Sequence, residues 1–409
     1  MHETTSSQIP FVKLKPGKEK TILRFHHWVF SGAIERTTPI PTLGSLVHVV
    51  DNKGHLLGSG FWEGGGISVK MLSFGHEIHN VVAFLRQRIE DAISLRCQMN
   101  LLRDNSHTTP NNIVRLVYGE ADFLPGLIID LYGHTAVVQA HAAGIYRYIH
   151  EIADILRQQQ MVAIHAVLDK SSATLPQEVV PVGGDRYICG SRFEEPLFEN
   201  GLRFIADFER GQKTGFFIDQ RTNRSLVERY AKDRKVLNTF CYTGGFSVYA
   251  LRGGAAQVSS LDSSQRALDV ATATLALNFD TDRLADHRTI CSDAFEYLHS
   301  LHGDEYDMII LDPPAFAKKR SNVKNAISGY RKLNAIALKK IAPGGGLLFT
   351  FSCSQLVTPY DFRMAILTAA VESGRKIRIL ALLGQSEDHP IALYHPETEY
   401  LKGLLLAVE

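Results

Sequence analysis

Residues 235–262 read KVLNTFCYTGGFSVYALRGGAAQVSSLD, and this stretch decides the architecture. KVLNTF has the length and apolar character of a buried strand. Gly244 and Gly245 then permit a tight turn, and a helix starts there. QVSSLD is a second strand, ending at Asp262, seventeen residues after Gly245. Strand, glycine turn, helix and strand together open a doubly wound sheet, where ligands bind beyond the carboxyl ends of the strands.

The alternation continues outward. Strands are expected near 235–240, 257–261, 288–291, 307–311, 347–352, 376–383 and 400–408, with helices between them that include 264–278 and 359–373. Alternating β and α elements imply a parallel sheet covered on both faces. Only SEDHPIALYHPETE separates the last two strands, so they should join as a late antiparallel addition. The fold class is therefore α/β, with a doubly wound, seven-stranded Rossmann-like domain over 196–409. Its N-terminal β-hairpin is PLFENGLRFIAD, where Asn200-Gly201 favours a type I′ turn.

Upstream, residues 1–75 hold short β-like runs (SLVHVV, HLLGSGFW, ISVKML) and read as a small β-barrel-like module. They carry eight Lys/Arg against five Asp/Glu, a net +3. Residues 76–195 mix a helix at 77–100 with strands and a second helix near 145–159, an α+β middle domain. Residues 170–195 lack periodicity and read as the link.

Charge, composition and cysteine usage set the class. Of 409 residues 45% are hydrophobic and 21% charged, ordinary for a globular protein, and the net charge of +1 confines any basic surface to patches. No apolar run approaches the ~20 residues that span a bilayer, so no membrane partner is expected. The polar start MHETTSSQIP carries no signal segment, which points to the cytoplasm. Cysteines 97, 189, 241, 291 and 353 are scattered and read as reduced thiols. His26-His27 and the His76/His79 pair have no companion ligands in the sequence, so no metal is expected. A homo-oligomer is compatible with the sequence, which has no pattern specifying one.

The chemistry sits at strand ends. Asp262 can take a ribose hydroxyl pair, and Asp293, after the strand RTIC, an adenine edge. Both could also be plain helix N-caps, but their register behind successive strands favours cofactor contact. The turn lacks the GxGxxG fingerprint of dinucleotide binding; a looser glycine turn suits S-adenosylmethionine, which has no phosphate to cradle. ILDPPAF at 310–316 delivers Asp312 and two prolines, and FTFSCSQ at 349–355 delivers Cys353. A free cysteine is usually a small buried hydrophobe. A thiol beside a carboxylate in a ligand crevice suggests attack on an aromatic base through sulfur. The run Lys318, Lys319, Arg320 and Lys324 follows the DPP loop. It is either a solvated face or a contact for RNA phosphates.

Taken together, these strings resemble the bacterial large-subunit ribosomal RNA cytosine-C5 methyltransferases that carry an N-terminal PUA domain. HHWVFSGAI (26–34), ADFLPGLIIDLYG (121–133), KTGFFIDQR (213–221), NTFCYTGGFS (238–247), LDPPAF, TFSCS and EDHP…YLKG carry the likeness along nearly the whole chain. Phe123 departs from the family, where glycine is usual. The resemblance implies S-adenosylmethionine as cofactor, large-subunit ribosomal RNA as partner and 5-methylcytosine as product. Cys353 would add to carbon 6 of the ring, and Asp312 would bond ring nitrogen 3. It also implies that Gln220, Arg221, Tyr242, Gly244, Asp262 and Asp293 hold the cofactor. Some related enzymes place a second catalytic cysteine in the DPP-equivalent loop; here Ala315 and Phe316 stand there, and Cys241 reads as packing. Two rivals remain. One is a guanine-N7 methyltransferase on the same fold, whose relatives carry FSNN where this chain has Cys353. The other is a non-catalytic RNA-binding assembly factor.

Overall fold

The computed structural model describes all residues except 1–8, 103–110, 181–182, 193, 210, 212 and 318. The chain forms two compact units, each assembled from separated stretches. One takes the residues up to Asn200 together with Ala206–Gly215 and Asp388–Thr398. The other takes Gly201–Ile205, Phe216–Glu387 and Glu399–Glu409.

The first unit contains two sheets. A six-stranded sheet runs Trp28–Phe30, Ile67–Met71, Leu56–Trp62, Leu46–Val50, Phe11–Leu14, Ile34–Thr38 from edge to edge. Its core is Val12, Leu14, Val29, Val47, Val49, Val69 and Met71. A five-stranded sheet follows, ordered Arg186–Cys189, Ala166–Asp169, Thr135–Ala140, Leu127–Tyr132, Ile113–Tyr118. The helix Val81–Gln98 packs its Leu85, Ile89 and Ile93 into the same core as Leu116, Ile129 and Val138. Asn80 caps that helix by accepting the Ala83 N–H. The stretch expected to be only a link therefore contains a strand, Arg186–Cys189, antiparallel to Ala166–Asp169. RYIC is a short edge strand with half-buried side chains, so its alternation is weak.

Asp388–Thr398 joins this unit through buried polar contacts. Arg96, fully buried, makes a two-pronged pair with Asp122 (2.6 and 2.8 Å) and also donates to the Asp388 carbonyl at 2.8 Å. Removing one member of such a group would strand a buried charge, which costs about 3–5 kcal/mol.

The second unit is built on a seven-stranded sheet. Its order is His287–Cys291, Gln257–Asp262, Lys235–Thr239, Met308–Leu311, Gly346–Ser352, Lys402–Val408, Ile377–Gly384. The first five are mutually parallel; Lys402–Val408 inserts antiparallel between its two neighbours. The expected strand positions all hold within a few residues, and so does the antiparallel addition. Met308–Leu311 (MIIL) lies at the centre with no side chain exposed, which is why it reads as an unbroken apolar run. Burying each such side chain is worth about 1.5–3 kcal/mol. At the expected turn, Asn200 takes φ 49° and Gly201 φ 78°, the two left-handed residues a type I′ turn requires.

Candidate active site

The site is set by where three parallel strands stop. Thr239 is flanked by Leu261 on one side and Leu311 on the other. Strand order reverses between these neighbours, so the chain leaving Thr239, Asp262 and Leu311 borders a crevice at a topological switch point.

Beyond Thr239 the backbone is bent hard. Phe240, Tyr242 and Gly244 take φ values of 54°, 46° and 78°. The two non-glycine residues cost about 1–3 kcal/mol each in that region, strain that persists only when the surroundings impose it. Here they do: the Cys241 N–H donates to the Leu261 carbonyl (3.0 Å), and the Tyr242 N–H donates to Asp262 Oδ2 (2.9 Å). A Cβ on Gly244 would come within 2.8 Å of the Ala271 Cβ, so only glycine fits against the next helix. Beneath the turn, Asn238, Ser247, Ser260 and His287 form a buried polar chain with links of 2.9, 2.6 and 2.8 Å. Burial lowers the His287 pKa to about 4, so the chain is neutral at pH 7.

Asp262 is half-buried and not a helix cap. Its second oxygen accepts the Ser264 N–H at 2.9 Å, and Ser264 caps the helix Gln265–Ala276. Asp293, by contrast, does cap: its Oδ1 accepts from Phe295 (2.8 Å) and Glu296 (3.1 Å), while the residue stays exposed beyond the His287–Cys291 strand. Cys241 is buried, and burial first, then the Asp262 charge, push its thiol well above the ordinary range. It stays protonated and packs.

On the other side of the crevice lie Asp312 and Cys353. Gln220 is buried and donates its amide to Asp312 Oδ2 at 3.1 Å. Gln220, expected at the cofactor, thus orients the carboxylate of the DPP loop. Its own oxygen accepts from Asn223 (2.6 Å), which in turn donates to the Gly384 carbonyl (2.9 Å). Arg221 is buried at the start of the helix Arg221–Tyr230. The half-buried Cys353 sulfur faces the Pro313 carbonyl at 3.9 Å. Thiol and DPP loop thus meet, as the two strings suggested.

Three residues that carried no assigned role in the sequence support them. Lys402, buried on the antiparallel strand opposite Ser352, donates to the carbonyls of Ser354 (2.7 Å) and Val357 (2.6 Å). It therefore fixes the turn that follows Cys353. Burial drops its pKa to about 8, while negative charge on Cys353 and Glu399 pulls the other way. Ser354 Oγ shares a hydrogen bond with the Tyr330 hydroxyl (2.9 Å) and accepts the Ala317 N–H (3.4 Å). Tyr330 also carries the Phe316 ring, at 4.6 Å between centroids. Desolvation raises the Tyr330 pKa, so its hydroxyl stays neutral. YLKG was visible as a motif; only the strand register shows that its lysine reaches the thiol turn.

Of the basic run, Lys318 lies outside the described residues. Lys319, Arg320 and Lys324 are exposed at the entry to the helix Val323–Lys340, directly after the DPP loop. His26 does have companions that are remote in sequence: His395 and Glu397, within 4.8 Å, in the first unit. The Trp28 N–H donates to His26 Nδ1 (3.2 Å), which leaves the ring proton on Nε2, 3.4 Å from Glu397. That is hydrogen-bond geometry, with the proton where a metal would need a lone pair.

A Rossmann-like sheet with one antiparallel insertion, a strained glycine turn without a phosphate cradle, and strand-end carboxylates define a nucleoside-binding group-transfer enzyme. The S-adenosylmethionine-dependent methyltransferase model matches residues 157–374, and the PUA-like domain model matches 12–74. Ribosomal RNA large subunit methyltransferase I of Salmonella schwarzengrund and that of Salmonella typhi are each 36% identical to the chain, over 100% of both chains. The crystal structure of SMU.776 with SAH superimposes with a TM-score of 0.81 at 23% identity, covering 98% of this chain and 100% of that one. The chain belongs to the S-adenosylmethionine-dependent methyltransferases, in the ribosomal RNA large subunit methyltransferase I family. Its cofactor is S-adenosylmethionine. The crevice is compatible with that cofactor: Asp262 offers a half-buried carboxylate beside a glycine turn packed tightly against Ala271.

Proposed function

We propose that this enzyme forms 5-methylcytosine in large-subunit ribosomal RNA through a covalent adduct of Cys353. The observation that carries the reading is the meeting of Cys353 with the DPP loop over the buried Lys402. Carbon 5 of cytosine is too weak a nucleophile to take a methyl group unaided. Cys353 sulfur bonds to carbon 6, and the ring becomes enamine-like at carbon 5. The cofactor supplies an electrophilic methyl group on a sulfonium. Carbon 5 takes the methyl, loses its proton to a base, and the carbon 6–sulfur bond breaks to restore the ring. Asp312, oriented by Gln220, shares a proton with ring nitrogen 3 and makes carbon 6 more electrophilic. Pro313 and Pro314 hold the loop beside the flat base. Asp262 binds the ribose hydroxyls and Asp293 the adenine edge, with Tyr242, Gly244 and Arg221 completing the cofactor pocket. Lys319, Arg320 and Lys324, with Lys318, contact RNA phosphates at the mouth of the site. The PUA-like module grips RNA away from the reacting base. An enzyme acting on ribosomal RNA resides in the cytoplasm.

RNA carrying 5-fluorocytosine tests the mechanism. Fluorine cannot leave as a proton does, so the adduct should survive denaturing electrophoresis. Cys353→Ala should abolish both the trapped adduct and the 5-methylcytosine signal in nucleoside mass spectrometry, with cofactor binding retained. A Cys353→Ala enzyme that still methylates carbon 5 overturns the mechanism. A wild-type product of 7-methylguanosine overturns the substrate, because guanine nitrogen 7 needs no thiol.

A further inference from the structure

The outer face of the six-stranded sheet carries a cavity of about 420 Å³, lined by Phe11, Lys13, Arg36 and Lys53 together with Thr38 and Val50. Strand register explains the lining. Phe11 lies opposite Thr38 and Lys13 opposite Arg36 across one antiparallel pair, and Lys13 lies beside Val50 across the parallel one. Side chains alternate along a strand, so these residues share a face while Val12 and Val49 belong to the core. The turn after Leu46–Val50 adds Lys53. Asp51 holds that turn: one oxygen accepts the N–H of Lys53 (2.8 Å) and of His55 (2.9 Å), and the other pairs with the His55 ring at 2.9 Å.

This face is unfavourable as it stands. Lys13 and Arg36 are like charges set directly opposite, an arrangement that destabilises a sheet. Among the described residues no carboxylate lines the cavity. Glu35, its side chain 41% exposed, comes only to 3.9 Å of Lys13, and an exposed pair of that kind is worth little. An anion held among the three cations relieves the repulsion. A phosphate alone would leave most of the space empty, because the volume lies within the ~300–1,000 Å³ of small-molecule sites. Phe11 supplies the other half of the ligand's chemistry. It is 36% exposed, and its ring touches His48 at 5.6 Å between centroids while also lining the cavity. An aromatic ring beside a phosphate site suits a nucleotide, since aromatic side chains stack unpaired bases.

We propose that this cavity takes one unpaired RNA nucleotide, with its base on Phe11 and its phosphate among Lys13, Arg36 and Lys53. The inference rests on the reading that the PUA-like module grips RNA, and it gives that grip a place and a chemistry. Fluorescence anisotropy of the full chain with a single-stranded RNA of about 12 nucleotides tests it. Phe11→Ala should weaken binding about 5–100-fold, the worth of one stacked base. Lys13→Ala, Arg36→Ala and Lys53→Ala together should lower the slope of log affinity against log salt by about 0.7, one phosphate of a single strand. Neither variant should melt below the wild type. Cross-linking needs no variant: the wild type with the same RNA carrying 4-thiouridine should give adducts at Phe11 or Lys53. Adducts confined to other parts of the module overturn the cavity and leave the module's grip on RNA standing. Adducts absent from the module overturn both. Unchanged affinity in Phe11→Ala, or an unchanged slope in the triple variant, also overturns the proposal. So does cytidine monophosphate binding as tightly as the oligonucleotide, which would make the site one for a free nucleotide.

Discussion

Lys402→Met asks whether the buried ammonium tunes the thiol. In the native protein its two hydrogen bonds, 2.7 and 2.6 Å, end on carbonyls of the turn that carries Cys353. Lys402 and Cys353 also interact through charge, and a neighbouring cation lowers an acid's pKa by roughly 1–3 units. Taking the lower end, its loss cuts the thiolate fraction at neutral pH about tenfold, an effect of about 1.4 kcal/mol. The remaining thiolate becomes about threefold more nucleophilic, because nucleophilicity rises with basicity. The net expectation is a three- to fourfold slower alkylation of Cys353 by iodoacetamide at pH 7, with the rate–pH midpoint moved up by about one unit. Mass spectrometry of the alkylated peptides separates Cys353 from the other four thiols. Lys402→Gln, which still donates without charge, should move the midpoint equally while melting closer to wild type. The wild-type profile carries a second signature. Burial brings Lys402 to about 8, so its charge is complete below that pH and is lost as pH rises through it. The difference in alkylation rate between wild type and Lys402→Met should therefore be largest below pH 8 and close above it, where the lysine is neutral and the thiol ionises in both. An alkylation midpoint that stays put in both variants refutes the electrostatic role and leaves Lys402 as a strut.

Asp262→Ala should weaken S-adenosylmethionine binding by ~10–100-fold in calorimetry, the worth of a charge-assisted hydrogen bond; unchanged affinity would remove it from the pocket. Gly244→Ala should lower the melting temperature and the cofactor affinity together, since the added Cβ meets Ala271 at 2.8 Å in a left-handed turn; a variant indistinguishable from wild type would show that the helix yields. Replacing Lys319, Arg320 and Lys324 with alanine should reduce the slope of log affinity for RNA against log salt by about 0.7–0.9 for each phosphate the variant no longer neutralises. An identical slope would mark the run as a solvated face.

The parallel sheet was legible because its central strands are largely buried runs that end at a turn or an acid: KVLNTF into the glycine turn, QVSSLD into Asp262, MIIL into Asp312. Pattern and chemistry change at the same residue, so boundaries and candidate residues come together. RYIC at 186–189 was not legible, because an edge strand of one exposed and three half-buried residues has no alternation to count. Nor was the affiliation of Asp388–Thr398 with the first unit. Nothing local to DHPIALYHPET signals that Arg96, nearly three hundred residues earlier, is waiting for the Asp388 carbonyl. Which of the two strand-end acids caps a helix was also visible only in three dimensions, where Ser264 relieves Asp262 of capping and Asp293 keeps the task.

The support of Cys353 shows why sequence stops short of a site. Lys402 lies forty-nine residues beyond the thiol, on a strand whose pattern, KGLLLAV, gives no hint of a ligand. Its partner is set by sheet order alone: the last strand inserts between Gly346–Ser352 and Ile377–Gly384, and antiparallel register then fixes Lys402 against Ser352. A one-residue slip would turn the lysine to the opposite face, where its ammonium could not reach the Ser354 and Val357 carbonyls. The insertion therefore does two things at once. It bridges Gly346–Ser352 and Ile377–Gly384 into one sheet, and it delivers the buried cation to the turn from which Cys353 meets the DPP loop.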